Sequence, residues 1–150
     1  MEPNHPHDER FAQGRFVRRF IEGMPVTQDL GIRVDDLTPG RTVMSLPVAD
    51  RHTLDGSTVQ AGITAMLADF AAVAAAATIL PDGWLAATTG FSVHHLAPAR
   101  GPLLVAMGSV VKESRRSLVA RADVYAETGS ERLHCLTGLF TATGIAPDPG

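Results

Sequence analysis

The sequence predicts an α+β domain in which an antiparallel sheet of about six strands wraps around one long central helix. Two observations lead to this prediction. Residues 59–80 include nine alanines and are apolar on every helical face, a pattern typical of a helix that is buried on all sides. Six further runs have strand character, and turn signals separate them. These strands are the only elements long enough to cover the helix.

The first third of the chain supplies a helix and a hairpin. Residues 1–8 are polar and broken by proline, which predicts a disordered tail, and the folded domain is expected over residues 9–146. Apolar side chains at helical spacing predict an amphipathic helix over residues 9–23. Residues 32–37 and 42–48 read as two strands joined by Thr38-Pro39-Gly40, which suits a type II turn.

The rest of the chain completes the sheet. A polar loop is expected before the long helix, and four strand-like runs follow it, over residues 87–96, 103–112, 117–126 and 132–143. Short connections between the last three predict an antiparallel meander. A single sheet of this kind around one helix is the hot-dog fold.

Composition narrows the possible partners. The chain has 150 residues with 13 Lys+Arg against 16 Asp+Glu and a formal net charge of −3, so it lacks the basic excess that nucleic-acid binding needs. Hydrophobic residues make up 45% and charged residues 19%. That balance predicts an oligomer that hides part of its apolar surface.

Targeting and metal signals are absent from the sequence. The polar N-terminus has no signal-peptide core, and the lone Cys135 favours a reducing, cytoplasmic compartment. An aspartate at the centre of the long helix argues against a membrane span, since it would cost about 2.5 to 3.5 kcal/mol on insertion. His94 and His95 are neighbours on a strand and point to opposite faces, so neither a metal nor another cofactor is expected.

Asp69 is the one ionisable residue in the long apolar helix. No Lys or Arg lies four residues before or after it on that helix. A buried carboxylate without a partner is costly, and proteins accept such a cost mainly at functional sites. Asp69 is therefore the first catalytic candidate.

The start of the same helix is the second candidate site. Gln60, Ala61 and Gly62 fall where backbone amides have no helical acceptor and the helix dipole is positive. The small side chains of Ala61 and Gly62 let a ligand approach these amides, which suit a thioester carbonyl or its oxyanion. Asp69 lies eight residues further on, about 12 Å along the helix. A site that combines both features must take each from a different subunit, which predicts a homodimer or homotetramer.

These residues resemble a known family. The segments VQAGITAMLADFAAVAAA, HHLAPARGPLLVAMGSVV and LVARADVYAETG resemble the PaaI-like, phenylacetate-pathway group of hot-dog acyl-CoA thioesterases in the 4-hydroxybenzoyl-CoA thioesterase superfamily. The resemblance covers residues 24–143, nearly the whole domain. It implies an enzyme that hydrolyses a small-molecule acyl-CoA to a free acid and coenzyme A.

The resemblance also implies roles for individual residues. Asp69 stands at the position of the catalytic carboxylate, which acts as general base on water or as nucleophile on the acyl carbon. The Ala61 amide would polarise the thioester carbonyl, with Gly62 as the next small residue, and Thr88 would lie near the attacking water. Two segments would contact the pantetheine arm and the phosphates of coenzyme A: His95, Leu96, Ala97 and Pro98, and Ser114, Arg115 and Arg116.

The chain departs from the family pattern at two positions. Gln60 replaces the usual histidine, although its amide can still bond a carbonyl or orient a loop. Leu54 replaces an Asn or Gln and can donate nothing. These departures keep open a non-catalytic acyl-CoA or aromatic-ligand binding protein. A hot-dog hydratase or dehydratase is a second alternative, but it needs a His paired with an acid, and His52 has no recognisable partner.

Overall fold

The computed structural model describes residues 6–150, with side chains from residue 12 onward. Three α-helices, one 3₁₀ turn and six strands follow in the order α1, α2, β1, β2, the 3₁₀ turn, α3 and β3 to β6. The helices are α1 (Pro6–Glu22), α2 (Pro25–Leu30) and α3 (Ala61–Ala77), and the 3₁₀ turn is Asp50–His52. The strands are β1 (Arg33–Thr38), β2 (Arg41–Pro47), β3 (Leu85–His95), β4 (Leu103–Glu113), β5 (Leu118–Thr128) and β6 (Glu131–Ile145).

The six strands form one antiparallel sheet in the order β1-β2-β4-β5-β6-β3. The predicted hairpin and meander are both confirmed. Gly40, in the hairpin turn, has a φ of 78°, the left-handed value that a type II turn requires. β1 and β3 are the two edges of the sheet, and β3 reaches its edge by a long connection through α3.

α3 lies across the concave face of the sheet and contacts five strands, β2 to β6. The helix can lie this close because its buried residues are mostly alanines. The closest approach is at Gly108 of β4, where an added Cβ would fall 2.2 Å from the Ala71 carbonyl oxygen. That same oxygen accepts a hydrogen bond of 2.5 Å from the Thr42 hydroxyl of β2. The hot-dog fold predicted from the sequence is therefore the fold of the chain.

Three details differ from the sequence-based expectation. α1 begins at Pro6, so residues 6–8 of the expected tail lie in its first turn, while residues 1–5 lie outside the described part of the chain. The short helix α2 was not predicted; it begins at Pro25, and proline favours the first position of a helix because its fixed φ suits that position and its missing amide proton costs no helical hydrogen bond there. α3 is also shorter than residues 59–80, because Val59 donates its amide to the Ala99 carbonyl instead of joining the helix.

The expectation that α3 is buried on all sides is wrong for a single chain. Its last residues, 74–77, are buried, but a stripe along residues 61–73 is partly or fully exposed. This stripe includes Gly62, Met66, Asp69, Phe70 and Val73, which share one helical face. None of the helices in residues 6–150 has the length and hydropathy that a bilayer crossing requires.

The contact at Gly108 gives a test of the fold. We expect Gly108→Ala to lower the free energy of unfolding by about 3 kcal/mol, because the new methyl group meets rigid helix backbone rather than a movable side chain. Gly14→Ala is the matched control, since nothing lies within 4 Å of a Cβ there. It should raise stability by about 0.5 to 1 kcal/mol as a helix-interior change. Urea denaturation measures both, and equal stability of the two variants would contradict this packing.

Candidate active site

The exposed stripe of α3 brings Asp69 to the sheet edge. Thr88, in the first half of β3, donates a hydrogen bond of 2.8 Å from its hydroxyl to Oδ1 of Asp69. The two residues are 19 positions apart in sequence, and their contact depends on β3 running back alongside α3. The structure thus brings together two of the four residues that were predicted to be catalytic.

The surroundings of Asp69 favour its protonated form. Desolvation by the neighbouring apolar residues raises the pKa of the Asp69 carboxyl, and the hydrogen bond from Thr88 opposes this only in part. Within residues 12–150 no Lys, Arg or His forms an ion pair with it. A carboxylate with a raised pKa and a free oxygen is a better proton acceptor than an ordinary aspartate.

The start of α3 presents backbone amides, as predicted. Gln60 is the N-cap, and its Oε1 accepts from the Ile63 amide at 3.2 Å. This bond leaves the amides of Ala61 and Gly62, both exposed, pointing out of the helix end. Gly62 permits the cap, because a Cβ there would lie 2.8 Å from Gln60 Oε1. In the free chain, Gln60 therefore orients the helix start.

The helix start and Asp69 lie at opposite ends of the site region within one chain. The start is tied to the connection between β3 and β4, because Val59 donates to the carbonyl of Ala99, four residues after β3 ends, at 2.9 Å. Asp69 is tied to Thr88 near the beginning of β3. Along α3 itself, Ala61 and Asp69 are eight residues apart, about 12 Å at about 1.5 Å per residue. One chain therefore does not bring the Ala61 amide to the Asp69 carboxylate.

The two segments expected to bind coenzyme A also lie apart. Residues 95–98 follow β3, and the Leu96 and Ala97 amides donate to the Cys135 carbonyl. Ser114, Arg115 and Arg116 form the β4–β5 turn, which the Ser114 amide closes by donating to the Ser117 carbonyl at 2.9 Å. This turn borders an open groove of about 830 Å³ together with Trp84, at the beginning of β3. The length of β3 thus separates the two segments.

The two departures from the family pattern have clear structural consequences. Leu54 is 71% exposed and projects from the loop before α3. Its neighbour Asp55 is occupied in the same loop, where bonds from the Thr58 and Ser57 amides lower the pKa of its carboxyl to about 2. His52 is buried, and its Nδ1 accepts from the Ala49 amide at 2.9 Å. No carboxylate in residues 12–150 bonds to His52. His134 does have an acidic partner, with its Nε2 2.9 Å from Oδ1 of Asp123, but this pair lies on β5 and β6 rather than at the start of α3.

An apolar cavity of about 180 Å³ opens beside Asp69 and Thr88. Phe70 and Val73 line this cavity, while Trp84 lines the groove at the β4–β5 turn. The opposite wall is formed by Val17, Phe20 and Ile21 of α1 and by Met24, between α1 and α2. The sequence predicted a helix over residues 9–23 but gave it no part in the site.

Comparisons with known proteins agree with this geometry. The family model described as the thioesterase superfamily matches residues 56–132, just over half of the chain. The chain belongs to the thioesterase superfamily. The matched segment includes the start of α3, Asp69 and Thr88, so the family relation covers the site. No curated protein matches the sequence of the chain.

Solved structures of other thioesterases have the same fold. A thioesterase family protein from Silicibacter pomeroyi is 30% identical, with a TM-score of 0.84, and the match covers 91% of this chain and 99% of that one. PaaI from the Escherichia coli phenylacetic acid degradation operon is 15% identical, with a TM-score of 0.79 and coverage of 95% and 97%. A Haemophilus influenzae thioesterase is 19% identical, with a TM-score of 0.75 and coverage of 86% and 87%. The last two show likeness of fold alone.

The raised pKa of Asp69 has a consequence for stability. Folding favours the protonated carboxyl, so its contribution to stability is present at low pH and is lost as the pH rises through the raised pKa. Asp69→Asn keeps the shape and an acceptor for Thr88 but carries no charge. We expect the variant to be more stable than the wild type near pH 7 by up to about 1 kcal/mol, because the carboxyl is partly solvated.

That difference should disappear below about pH 3, under the unfolded-state pKa of about 3.9, where the carboxyl is protonated in both the folded and the unfolded chain. Thermal unfolding of both proteins across this pH range measures it. A wild type that is the more stable protein at pH 7 would mean that the charge at Asp69 is not desolvated.

Proposed function

We propose that this protein is an acyl-CoA thioesterase of the PaaI-like group, acting at sites formed between two subunits of a homodimer. The observation that carries the proposal is the Asp69–Thr88 pair at the mouth of an apolar cavity. Membership of the thioesterase superfamily supports thioester hydrolysis as the reaction class. The reduced, buried Cys135 supports a reducing compartment such as the cytoplasm.

The two edges of the sheet differ in a way that supports dimerisation through β3. β1 is six residues long and carries Arg33, Asp35 and Asp36, and short, charged edge strands resist pairing. β3 has eleven residues, carries no Lys, Arg, Asp or Glu, and leaves Phe91 58% exposed. A long uncharged edge is a template for another strand, and a second copy of β3 fits it.

A two-fold axis near the middle of β3 would complete the site. Two copies of one strand related by such an axis run antiparallel, so the beginning of one meets the end of the other. Thr88 and Asp69 would then lie beside the end of the partner's β3 and the connection that follows it, to which the start of the partner's α3 is tied. The Ala61 amide of the partner subunit would face Asp69. The same crossing would bring the groove at Arg115 and Arg116 toward the partner's residues 95–98.

In the proposed reaction the Ala61 and Gly62 amides of the partner subunit hold the thioester carbonyl oxygen and stabilise the charge that develops on it. As a general base, Asp69 takes a proton from water while the water oxygen bonds to the acyl carbon. The carbon–sulfur bond then breaks, and the coenzyme A thiolate leaves and takes up a proton. Thr88 fixes one oxygen of Asp69 by its hydrogen bond, so that the other oxygen faces the water.

Coenzyme A, as part of the substrate, accounts for the open groove at the β4–β5 turn. Its phosphates require cations, and in residues 12–150 neither Arg115 nor Arg116 forms an ion pair that would compete. The proposal needs no metal or redox cofactor, because the base and the amides supply the chemistry.

Loss of the carboxylate tests the chemistry. Asp69→Asn should lower kcat for hydrolysis by about 10³-fold, because general-base catalysis contributes on that order. Thiol release from a panel of acyl-CoAs measures it. Asp36→Asn, an exposed aspartate on the opposite edge of the sheet, is the control and should keep wild-type turnover. Unchanged turnover in Asp69→Asn would remove Asp69 from the mechanism.

The shared site can be tested by mixing two inactive chains. Ala61→Pro removes the proposed amide donor, and proline fits this first helical position because Gln60 already has an extended ψ of 135°. Homodimers of either Ala61→Pro or Asp69→Asn should be inactive. Refolding the two chains together should restore about a quarter of the wild-type activity, because half of the dimers then carry one intact site. A site contained within one chain would regain nothing on mixing.

Base and nucleophile can be separated by a single turnover in ¹⁸O-labelled water. A general base delivers the label directly to the product acid. An anhydride between Asp69 and the acyl group allows label to enter the aspartate carboxylate instead, which mass spectrometry of the peptide detects.

A non-catalytic acyl-CoA binding protein is the second candidate function. It is favoured by Leu54, which offers no donor where relatives carry an amide, and by Gln60, whose Oε1 is used in the helix cap. Calorimetric titration with a nonhydrolysable acyl-CoA analogue, combined with the thiol-release assay, separates the two functions. Binding without thiol release would support the binding protein.

A further inference from the structure

The cavity beside Asp69 is walled by two helices and one strand. Phe70 and Val73 of α3 form one side, Leu85 and Ala86 of β3 a second, and α1 together with Met24 the third. The groups proposed above for the reaction, Asp69, Thr88 and the amides at the helix start, all lie on α3 and β3. The contribution of α1 therefore concerns which group enters the cavity rather than how the thioester bond is broken.

α1 is held against α3 by a specific polar contact. Gln13 is buried, and its Nε2 donates to the carbonyls of Ala77 and Trp84, each at 2.9 Å. Its Oε1 accepts from the Gly83 amide at 2.9 Å. Further along, the Arg18 guanidinium donates to the Val34 carbonyl at 2.6 Å. The bond to Ala77 fixes α1 against the end of α3, and the other bonds fix it to the α3–β3 connection and to β1, so the size of the cavity is set by the fold itself.

The volume of about 180 Å³ limits the acyl group. An apolar protein cavity of about 150 Å³ holds one benzene molecule. The cavity here therefore holds one six-membered ring with its linking carbon, or a straight chain of about six to eight carbons. A long fatty-acyl chain would have to leave the cavity and lie against solvent.

The lining of the cavity limits the polarity of the acyl group as well. Among the lining residues only Asp69 and Thr88 carry polar side chains, and they are bonded to each other at the reaction end. A hydroxyl on the far side of a bound ring would meet aliphatic and aromatic side chains. Burial of a hydroxyl without a hydrogen-bond partner is unfavourable. An apolar pocket discriminates against a hydroxylated ring only through this cost of desolvation.

We infer that this cavity is the acyl pocket, that α1 sets its depth, and that it selects an unsubstituted single ring or a medium straight chain over hydroxylated rings and long chains. The inference rests on the proposed thioester hydrolysis. It assigns the substrate class from the cavity and makes Phe20, 44% exposed at the wall, a specificity-determining residue.

Matched substrates test the inference in the wild-type protein. We expect kcat/KM for phenylacetyl-CoA to exceed that for 4-hydroxyphenylacetyl-CoA by about tenfold, the effect of one unpaired hydroxyl. Hexanoyl-CoA should likewise exceed palmitoyl-CoA by about tenfold or more. Calorimetry with Asp69→Asn and the same acyl-CoAs measures the preference without turnover. The calorimetric measurement tests the substrate preference, and the thiol-release assay tests the hydrolysis, so the two proposals are tested separately.

A substitution in α1 tests whether this helix determines the preferred length of the acyl chain. Phe20→Ala removes a partly exposed ring from the wall, and it should raise kcat/KM for lauroyl-CoA relative to hexanoyl-CoA about tenfold or more. Phe16→Ala is the control, because Phe16 lies on the same helix but packs against the core and does not line the cavity. It should leave that ratio unchanged.

Equal use of the hydroxylated and plain rings, or an unchanged chain-length ratio in Phe20→Ala, would overturn the inference while leaving the thioesterase proposal intact. Absence of thiol release from every acyl-CoA, together with the expected binding preference in calorimetry, would overturn the proposed function and retain the acyl pocket. Absence of any preference in either measurement would overturn the inference outright.

Discussion

The close contact between α3 and the sheet determines where every candidate site residue lies. Gly108 and the alanines of α3 allow backbone to meet backbone at Ala71, and the Thr42 hydroxyl fixes the helix at that point. Because the helix cannot lift or rotate without breaking this contact, its remaining face is defined. Asp69 lies on that face and contacts β3 through Thr88, while the residues at the start of α3, Ala61 and Gly62, stay exposed.

The position of Asp69 is unfavourable for stability and favourable for chemistry. The carboxyl sits among apolar side chains with one hydrogen bond, from Thr88. A second donor or a cation would lower its pKa and make it a weaker base. The helix α3 thus stabilises the fold through its alanines and also carries Asp69, whose charge is unfavourable for stability in these surroundings. Functional sites commonly contain residues of this kind.

The fold could be predicted from the sequence because the patterns that indicate it are long and regular. The alanine-rich helix and the Thr38-Pro39-Gly40 turn have local causes, and both were predicted within a few residues. Asp69 could also be identified from the sequence as a candidate site residue, since it is the one charged residue in an apolar helix. The family resemblance placed Thr88 near the attacking water, but the bond from Thr88 to Asp69 was not predicted, because it depends on the register between β3 and α3.

What the sequence could not supply was the arrangement of elements that are distant along the chain. A glutamine in an amphipathic helix gives no sign that it is buried, yet Gln13 bonds three backbone groups more than sixty residues away. The partial exposure of α3 was missed for a similar reason: an apolar sequence predicts burial but does not indicate which elements supply it, and the contacts within one chain cover only part of the helix. Both errors concern surfaces that tertiary contacts create.

The different roles of α1 and of the pair α3 and β3 follow from these contacts. α3 and β3 are held by their contacts with the rest of the sheet, so Asp69, Thr88 and the amides at the start of α3 occupy positions that the fold itself dictates. α1 lies outside the sheet and is held by its buried Val17 and Ile21 and by the bonds of Gln13 and Arg18. Substitutions on its inner face alter the cavity without displacing α3 or β3. A protein built in this way can change the group it accepts while keeping the groups that act on it.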